Sequence, residues 1–243
     1  RARASPSPRA RCSSGTSSDS TSDAGSAAID NSTAVAVSTS IAQLEDFVVG
    51  GDRPVTVRVP ANYDAAVPAP LLIVLHGYGS FGAEAADYLG LDPHAEANGF
   101  LTAYPEGTPD PGGLQHWNAT RDDTAASGVD DAAYLSGLVA EVADTANVDP
   151  DRVFAMGHSN GAFMAYRMAC EHADVFAAAV SLAGATLETA DECQAAGPIA
   201  VLEIHGDRDD VVLYGGGTLG AGNAYPSVAD TASLWLGANG CEP

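Results

Sequence analysis

The chain has 243 residues, 46% of them hydrophobic, enough for one sizeable core and a single folded domain. Ten arginines, no lysine and 32 acidic residues give a net charge of −22, which excludes nucleic acid as a partner because phosphate binding needs clustered positive charge. The acidity reads as a well-solvated surface, and no apolar run approaches the length of a membrane span.

Arg1, Arg3, Arg9 and Arg11 open the chain without an acid among them, like a positively charged leader region, but the apolar segment that should follow is missing. Instead Cys12 begins a stretch of Ser, Thr, Ala and Asp reaching about Ser40. So little apolar surface cannot offset the entropy of ordering, so residues 1–40 read as a flexible tether and 41–243 as the catalytic domain. A cysteine opening a tether suggests a lipid anchor at Cys12, and with it a secreted or cell-surface protein. The sequence starts without methionine, so one end is expected to be incomplete.

Val55-Thr-Val-Arg-Val59 alternates and reads as a strand stopped by Pro60. Leu71 to Leu75 is continuously apolar, as in a parallel strand covered on both faces, and runs straight into His76-Gly-Tyr-Gly-Ser80. Phe100 to Tyr104 is a third strand, ended by Pro105. Residues 109–127 read as a long loop carrying His116-Trp117-Asn118. Its tryptophan either lines a pocket for an acyl group or plugs the core surface. From Val129 the period becomes helical: Leu135, Leu138, Val139, Val142 and Ala146 share a face, with Asp130 and Asp131 in the first turn as capping, structural carboxylates.

Val153 to Met156, Gly157-His-Ser-Asn-Gly161 and Ala162 to Ala169 form a strand, a sharp turn and a helix. A serine hydroxyl becomes a nucleophile only when a base takes its proton and the backbone lifts it clear, which is what this elbow does. Glycines at 157 and 161 remove β-carbons that would clash. The helix behind Ser159 aims free N–H groups at the oxygen that becomes negative in acyl transfer. Ser159 is therefore the candidate nucleophile, Asn160 N–H one oxyanion donor and Tyr78 N–H, in the glycine turn after the Leu71–Leu75 strand, the other. Two more strands follow at 176–183 and 199–204. The second ends in His205-Gly-Asp-Arg-Asp-Asp210, and Asp209 is the candidate acid. Strands alternating with helices in this way predict a mostly parallel, doubly wound α/β sheet with helices on both faces and the reactive groups at the C-terminal strand ends.

His76-Gly-Tyr-Gly-Ser80, Trp117-Asn118, Val129-Asp-Asp131, Val148-Asp-Pro-Asp-Arg-Val153, Gly157-His-Ser-Asn-Gly161 with Met164, and His205-Gly-x-x-Asp209 together resemble the polyhydroxybutyrate depolymerase and feruloyl esterase group of secreted α/β-hydrolases. The resemblance covers about Val48 to Cys241. It implies a serine esterase with Ser159 as nucleophile and Asp209, three residues before Val212, as triad acid. His76, Gly77, Trp117 and His158, which adjoin these motifs, are the candidate substrate-binding residues. Leu213 stands where the group usually has proline, and the Thr120–Ser127 loop lacks its cysteines. The six histidines are His76, His94, His116, His158, His172 and His205, and none follows Asp209. In the group the catalytic histidine lies beyond the helix that here is Val228 to Leu236, so the triad base and the last strand and helix are expected to be missing from these residues. His205 is the least unsuitable internal substitute.

Cys170, Cys193 and Cys241 lack metal-ligand spacing, and no metal or cofactor is expected. One disulfide among them suits an exported protein, with Cys193–Cys241 preferred over reduced, buried thiols. The expected function is a monomeric carboxylic-ester hydrolase working through an acyl-enzyme on feruloyl or acetyl polysaccharide esters or short polyhydroxyalkanoates. Small soluble esters are favoured, since there is no separate polymer-binding module. The alternatives are an inactive, surface-tethered binding protein that keeps the pocket, and an acyltransferase on the same scaffold.

Overall fold

A computed structural model describes residues 44–186, 193, 197–219 and 223–241. The tether read over residues 1–40, with its lipid anchor at Cys12, lies outside them.

Seven strands make one sheet in the order β1 (Phe47–Val49), β2 (Val55–Arg58), β4 (Leu101–Ala103), β3 (Ala69–Leu75), β7 (Val148–His158), β8 (Ala178–Leu182) and β9 (Ala200–Ile204). From β4 to β9 all neighbours are parallel, whereas β1–β2 and β2–β4 are antiparallel. Alternate side chains of a strand face opposite sides. On one side Leu71, Ile73 and Leu75 join a large core with the inward residues of α4 (Asp131–Thr145), α5 (Asn160–Glu171) and α6 (Val228–Ala238). On the other, Val74 packs with Tyr104 and with Ala85 and Ala86 of α1 (Gly82–Leu89), beside which α2 (Asp92–Asn98) lies along β4.

Cover on this second side fades toward β9. The row Val74, Met156, Val180, Leu202 is in register across four strands, and its burial falls from complete at Val74 to 53% exposure at Leu202. In the next row, Leu182 is half-buried and Ile204 is exposed. Among the described residues no helix lies over this end of that face.

The 109–127 loop is more ordered than its composition suggested. It contains a hairpin of β5 (Thr108–Pro109) and β6 (Gln115–His116), followed by α3 (Arg121–Ser127). Both strands are two residues long, too short to show an alternating pattern. A second hairpin, β10 (Gly217–Leu219) with β11 (Asn223–Tyr225), precedes α6. Asp130 caps α4 by accepting from Ala133 N at 3.1 Å. Asp131 is fully buried, pairs with Arg53 at 2.7 Å and accepts from both Asn118 N and Nδ2, so it is structural.

The expected Cys193–Cys241 pairing does not form. Cys193 is instead bonded to Cys170, with Cα atoms 4.2 Å apart, and both lie in the same core.

Candidate active site

Strand β7 runs at the centre of the sheet and ends at His158, and α5 begins at Asn160. Between them Ser159 has φ 52° and ψ −120°, left-handed backbone rare for any residue but glycine. Its N–H donates to Leu182 O at 2.9 Å, anchoring the turn to β8, and its hydroxyl does not cap α5. The two glycines are steric necessities. A β-carbon on Gly157 would sit 2.0 Å from Gly161 O, and one on Gly161 would sit 2.3 Å from Leu75 O. Both contacts are with backbone, so no side-chain rotation could relieve them.

The loop after β3 closes against this elbow. Ser80 N donates to Gly77 O at 3.1 Å across a turn in which Gly79 takes φ 72°, and Gly79 N donates to Gln115 O at 2.7 Å. A β-carbon on Gly77 would lie 3.5 Å from Ser159 Cβ. Tyr78 N–H thus leaves a turn that abuts the serine, and Asn160 N–H, first in its helix, has no acceptor within that helix. Tyr78 and Asn160, named from sequence as oxyanion donors, belong to the two segments that meet at Ser159.

Trp117 holds the two pieces together. Its N–H donates to Asn160 Oδ1 at 2.7 Å, its carbonyl accepts from Asn160 Nδ2 at 3.0 Å, and its indole Nε1–H donates to His76 O at 3.1 Å. The expectation that Trp117 binds substrate is corrected here. It is 1% exposed and lies in the core behind the site, because β6 turns its ring inward under the oxyanion loop. The clamp made by the Asn160 side chain was not foreseen, and an amide directly after the serine was its only signal.

His76 is fully buried. Gly107 N donates to its Nε2 at 2.9 Å, so the proton is on Nδ1, which donates to Gly77 O at 2.7 Å. Burial pushes its pKa below the ordinary value, consistent with a neutral ring. It forms part of the cavity wall, but its nitrogens serve the loop.

Asp209 Oδ1 accepts from Val211 N at 2.9 Å and Val212 N at 3.0 Å. These amides, the Val211 bond foremost, hold its pKa below 3.8, with the nearby imidazoles of His205 and His158 adding to the effect. His205 cannot stand in as base. Its Nδ1 faces Glu203 Oε1 at 3.0 Å and its Nε2 faces Val212 O at 2.6 Å, leaving Asp209 Oδ2 3.8 Å away. The ring braces the acid loop, while Tyr166 OH donates to Glu203 Oε2 at 2.6 Å on the other side. Among the described residues no imidazole nitrogen is hydrogen-bonded to Ser159.

A cavity of about 360 Å³ opens over the serine, lined by His76, Gly77, Tyr78, His158 and Ser159 on one side and by Ser80, Glu84, Ala85, Tyr88 and Leu89 on the other. His158 stands against Tyr88 with ring centroids 5.4 Å apart, and burial lowers its pKa against the pull of Asp209. Sequence reading missed the α1 wall, although Ser80, Glu84 and Tyr88 recur at the four-residue spacing of one helix face. No group of His, Cys, Asp and Glu side chains that could hold a metal occurs among the described residues.

The sequence matches the family described as Esterase PHB depolymerase over residues 58–229. The chain belongs to this family. NocK of Nocardia uniformis subsp. tsuyamanensis, which carries an esterase name, is 38% identical over 149 residues, 60% of this chain and 42% of its own. Feruloyl esterase C of Emericella nidulans is 30% identical over 199 residues, 79% of this chain and 63% of its own. This esterase PHB depolymerase member thus spans 42% and 63% of the length of these two relatives. A crystal structure of a thermostable esterase superposes with a TM-score of 0.57 at 16% identity, covering 79% of this chain and 50% of that one. The likeness agrees with the sheet and helix order in showing an α/β-hydrolase fold.

Proposed function

We propose that this chain is a serine carboxylic-ester hydrolase. Ser159 Oγ attacks the ester carbonyl. The N–H groups of Tyr78 and Asn160 hold the resulting oxyanion, and the alcohol leaves with the proton taken from the serine. Water then releases the acid from the acyl-enzyme. The observation that supports the reading is the strained backbone of Ser159 at the start of α5, with Gly77 so near that a β-carbon there would lie 3.5 Å from Ser159 Cβ. Asp209, with Oδ1 fixed by two amides and Oδ2 unclaimed by them, is the group that orients an imidazole base. His205 stands 3.8 Å from Asp209 Oδ2 but is held by Glu203 and Val212 O, and among the described residues no histidine joins Asp209 to Ser159.

Family membership and the names of the relatives support ester substrates. The Tyr78 and Tyr88 walls favour a small aromatic or acetyl ester of a plant polysaccharide over a polymer surface. The Cys170–Cys193 bond supports an oxidising, extracellular setting, and no described helix is long and apolar enough to cross a membrane.

A fluorophosphonate probe tests the reading, since it bonds only to an activated serine. The expected result is labelling of Ser159, raised by tens of millimolar free imidazole and abolished in Ser159→Ala. A folded protein that stays unlabelled with imidazole present would instead mark a binding protein that keeps the pocket.

A further inference from the structure

Ten residues line the cavity, and they contribute one carboxylate and no arginine. The carboxylate is Glu84, whose Oε2 accepts from Ser80 Oγ at 2.9 Å. That bond ties the exposed Glu84 side chain to Ser80 on the helix face shared with Tyr88, in the wall of the cavity that holds Ser159. The two imidazoles in the wall, His76 and His158, do not offset it, because burial favours the neutral form of both. Tyr78 adds no positive charge, and its hydroxyl is bonded to Asp110, a second acid at the mouth. The surrounding molecule carries a net charge of −22.

We propose that Glu84 makes this cavity a charge filter, admitting uncharged esters and repelling ligands that carry a carboxylate. The inference rests on the ester-hydrolase reading and deepens it. Hydrolysis turns a neutral ester into a neutral alcohol and an acid that ionises at once, so the acyl product acquires the rejected charge at the moment it is released. The same wall that tolerates the substrate expels the product. Esters already bearing a carboxylate, such as hydroxyacid oligomers with a free acid end or uronate-linked acyl groups, are disfavoured from the start.

Two unit charges about 7 Å apart at an exposed site differ from no charge by about a factor of two to three in binding, and salt screens the difference. The measurement is calorimetric binding of methyl cinnamate and of cinnamate, the same ring without and with the charge, to Ser159→Ala and to the double variant with Glu84→Gln. The serine change prevents turnover, and glutamine keeps the shape and the bond from Ser80. The expected result is that the neutral ester binds tighter to Ser159→Ala and that Glu84→Gln narrows the gap about twofold by strengthening cinnamate. In 0.5 M NaCl the gap should shrink in the first protein and hardly change in the second. A gap that Glu84→Gln leaves unaltered, or the binding of neither ligand, overturns the proposal. Fluorophosphonate labelling of the unmodified serine reads the hydrolase assignment separately, so a chemically silent protein that still sorts the two ligands would retain the filter and lose the esterase.

Discussion

The nucleophile end of the site is held by backbone against backbone at the centre of the sheet, the acid end by hydrogen bonds at its margin. Strand β7 has neighbours on both sides, and a β-carbon would overlap main chain at either elbow glycine: Gly161 O of the next helix for Gly157, and Leu75 O of β3 for Gly161. Among the described residues strand β9 has a single neighbour, Leu202 and Ile204 are exposed on one face, and a β-carbon on Gly206 would meet nothing nearer than Asp209 N at 3.9 Å. A reacting atom must be placed to within fractions of an ångström, whereas an orienting acid tolerates more freedom provided its own loop is braced.

The sharpest way to break the comparison is a pair of equivalent substitutions. Gly161→Ala should destabilise the protein by about 3 kcal/mol or more, because the new methyl overlaps main-chain oxygen, whereas Gly206→Ala should change stability by less than about 0.5 kcal/mol. Urea unfolding of both variants measures the contrast, and equal losses would erase it.

Next in size is the clamp. Asn160→Ala removes both bonds to Trp117 and leaves its N–H and carbonyl unpaired, which should cost about 1–3 kcal/mol in thermal stability. Labelling of Ser159 should slow by more than the stability loss explains, since the turn would drift from Tyr78. Unchanged labelling would reduce the clamp to ordinary packing.

At the acid end the expected effect is smaller and depends on pH. The pKa of Asp209 is depressed in the folded chain by the Val211 amide first, so its contribution is present above the unfolded value near 4 and is lost as pH falls through the folded one. Melting temperature should therefore fall more steeply below about pH 4 in the parent than in Asp209→Asn, and parallel curves would contradict the pKa direction. The smallest change is expected on the exposed strand: Leu202→Thr with Ile204→Thr should leave stability within about 0.5 kcal/mol and raise solubility, as scored by light scattering.

The same division decided what the residues disclosed. Central strands such as Leu71–Leu75, and the elbow with its two glycines, are dictated by local sterics and by burial on both faces, so composition and spacing reveal them. Helix α1 was not legible because it buries Gly82, Ala85 and Ala86, residues without apolar contrast, and so Glu84 and Tyr88 had no helix to belong to. Trp117 could be read as lining or as core, since only the path of β6 decides which way its ring turns. Pairings between distant residues leave no local pattern, as with Arg53 and Asp131, 78 residues apart, or Cys170 and Cys193 across a crossover.

The positions of the two tryptophans have a practical consequence. Trp117 lies behind the serine with its indole N–H bonded to His76 O, and Trp235 stacks on Tyr166 at 5.8 Å near β9 with its indole N–H unpaired. The two indoles thus share one core in distinct polar environments. Single Trp→Phe variants would let ultraviolet emission report that core from each position in turn, without a dye or a substrate.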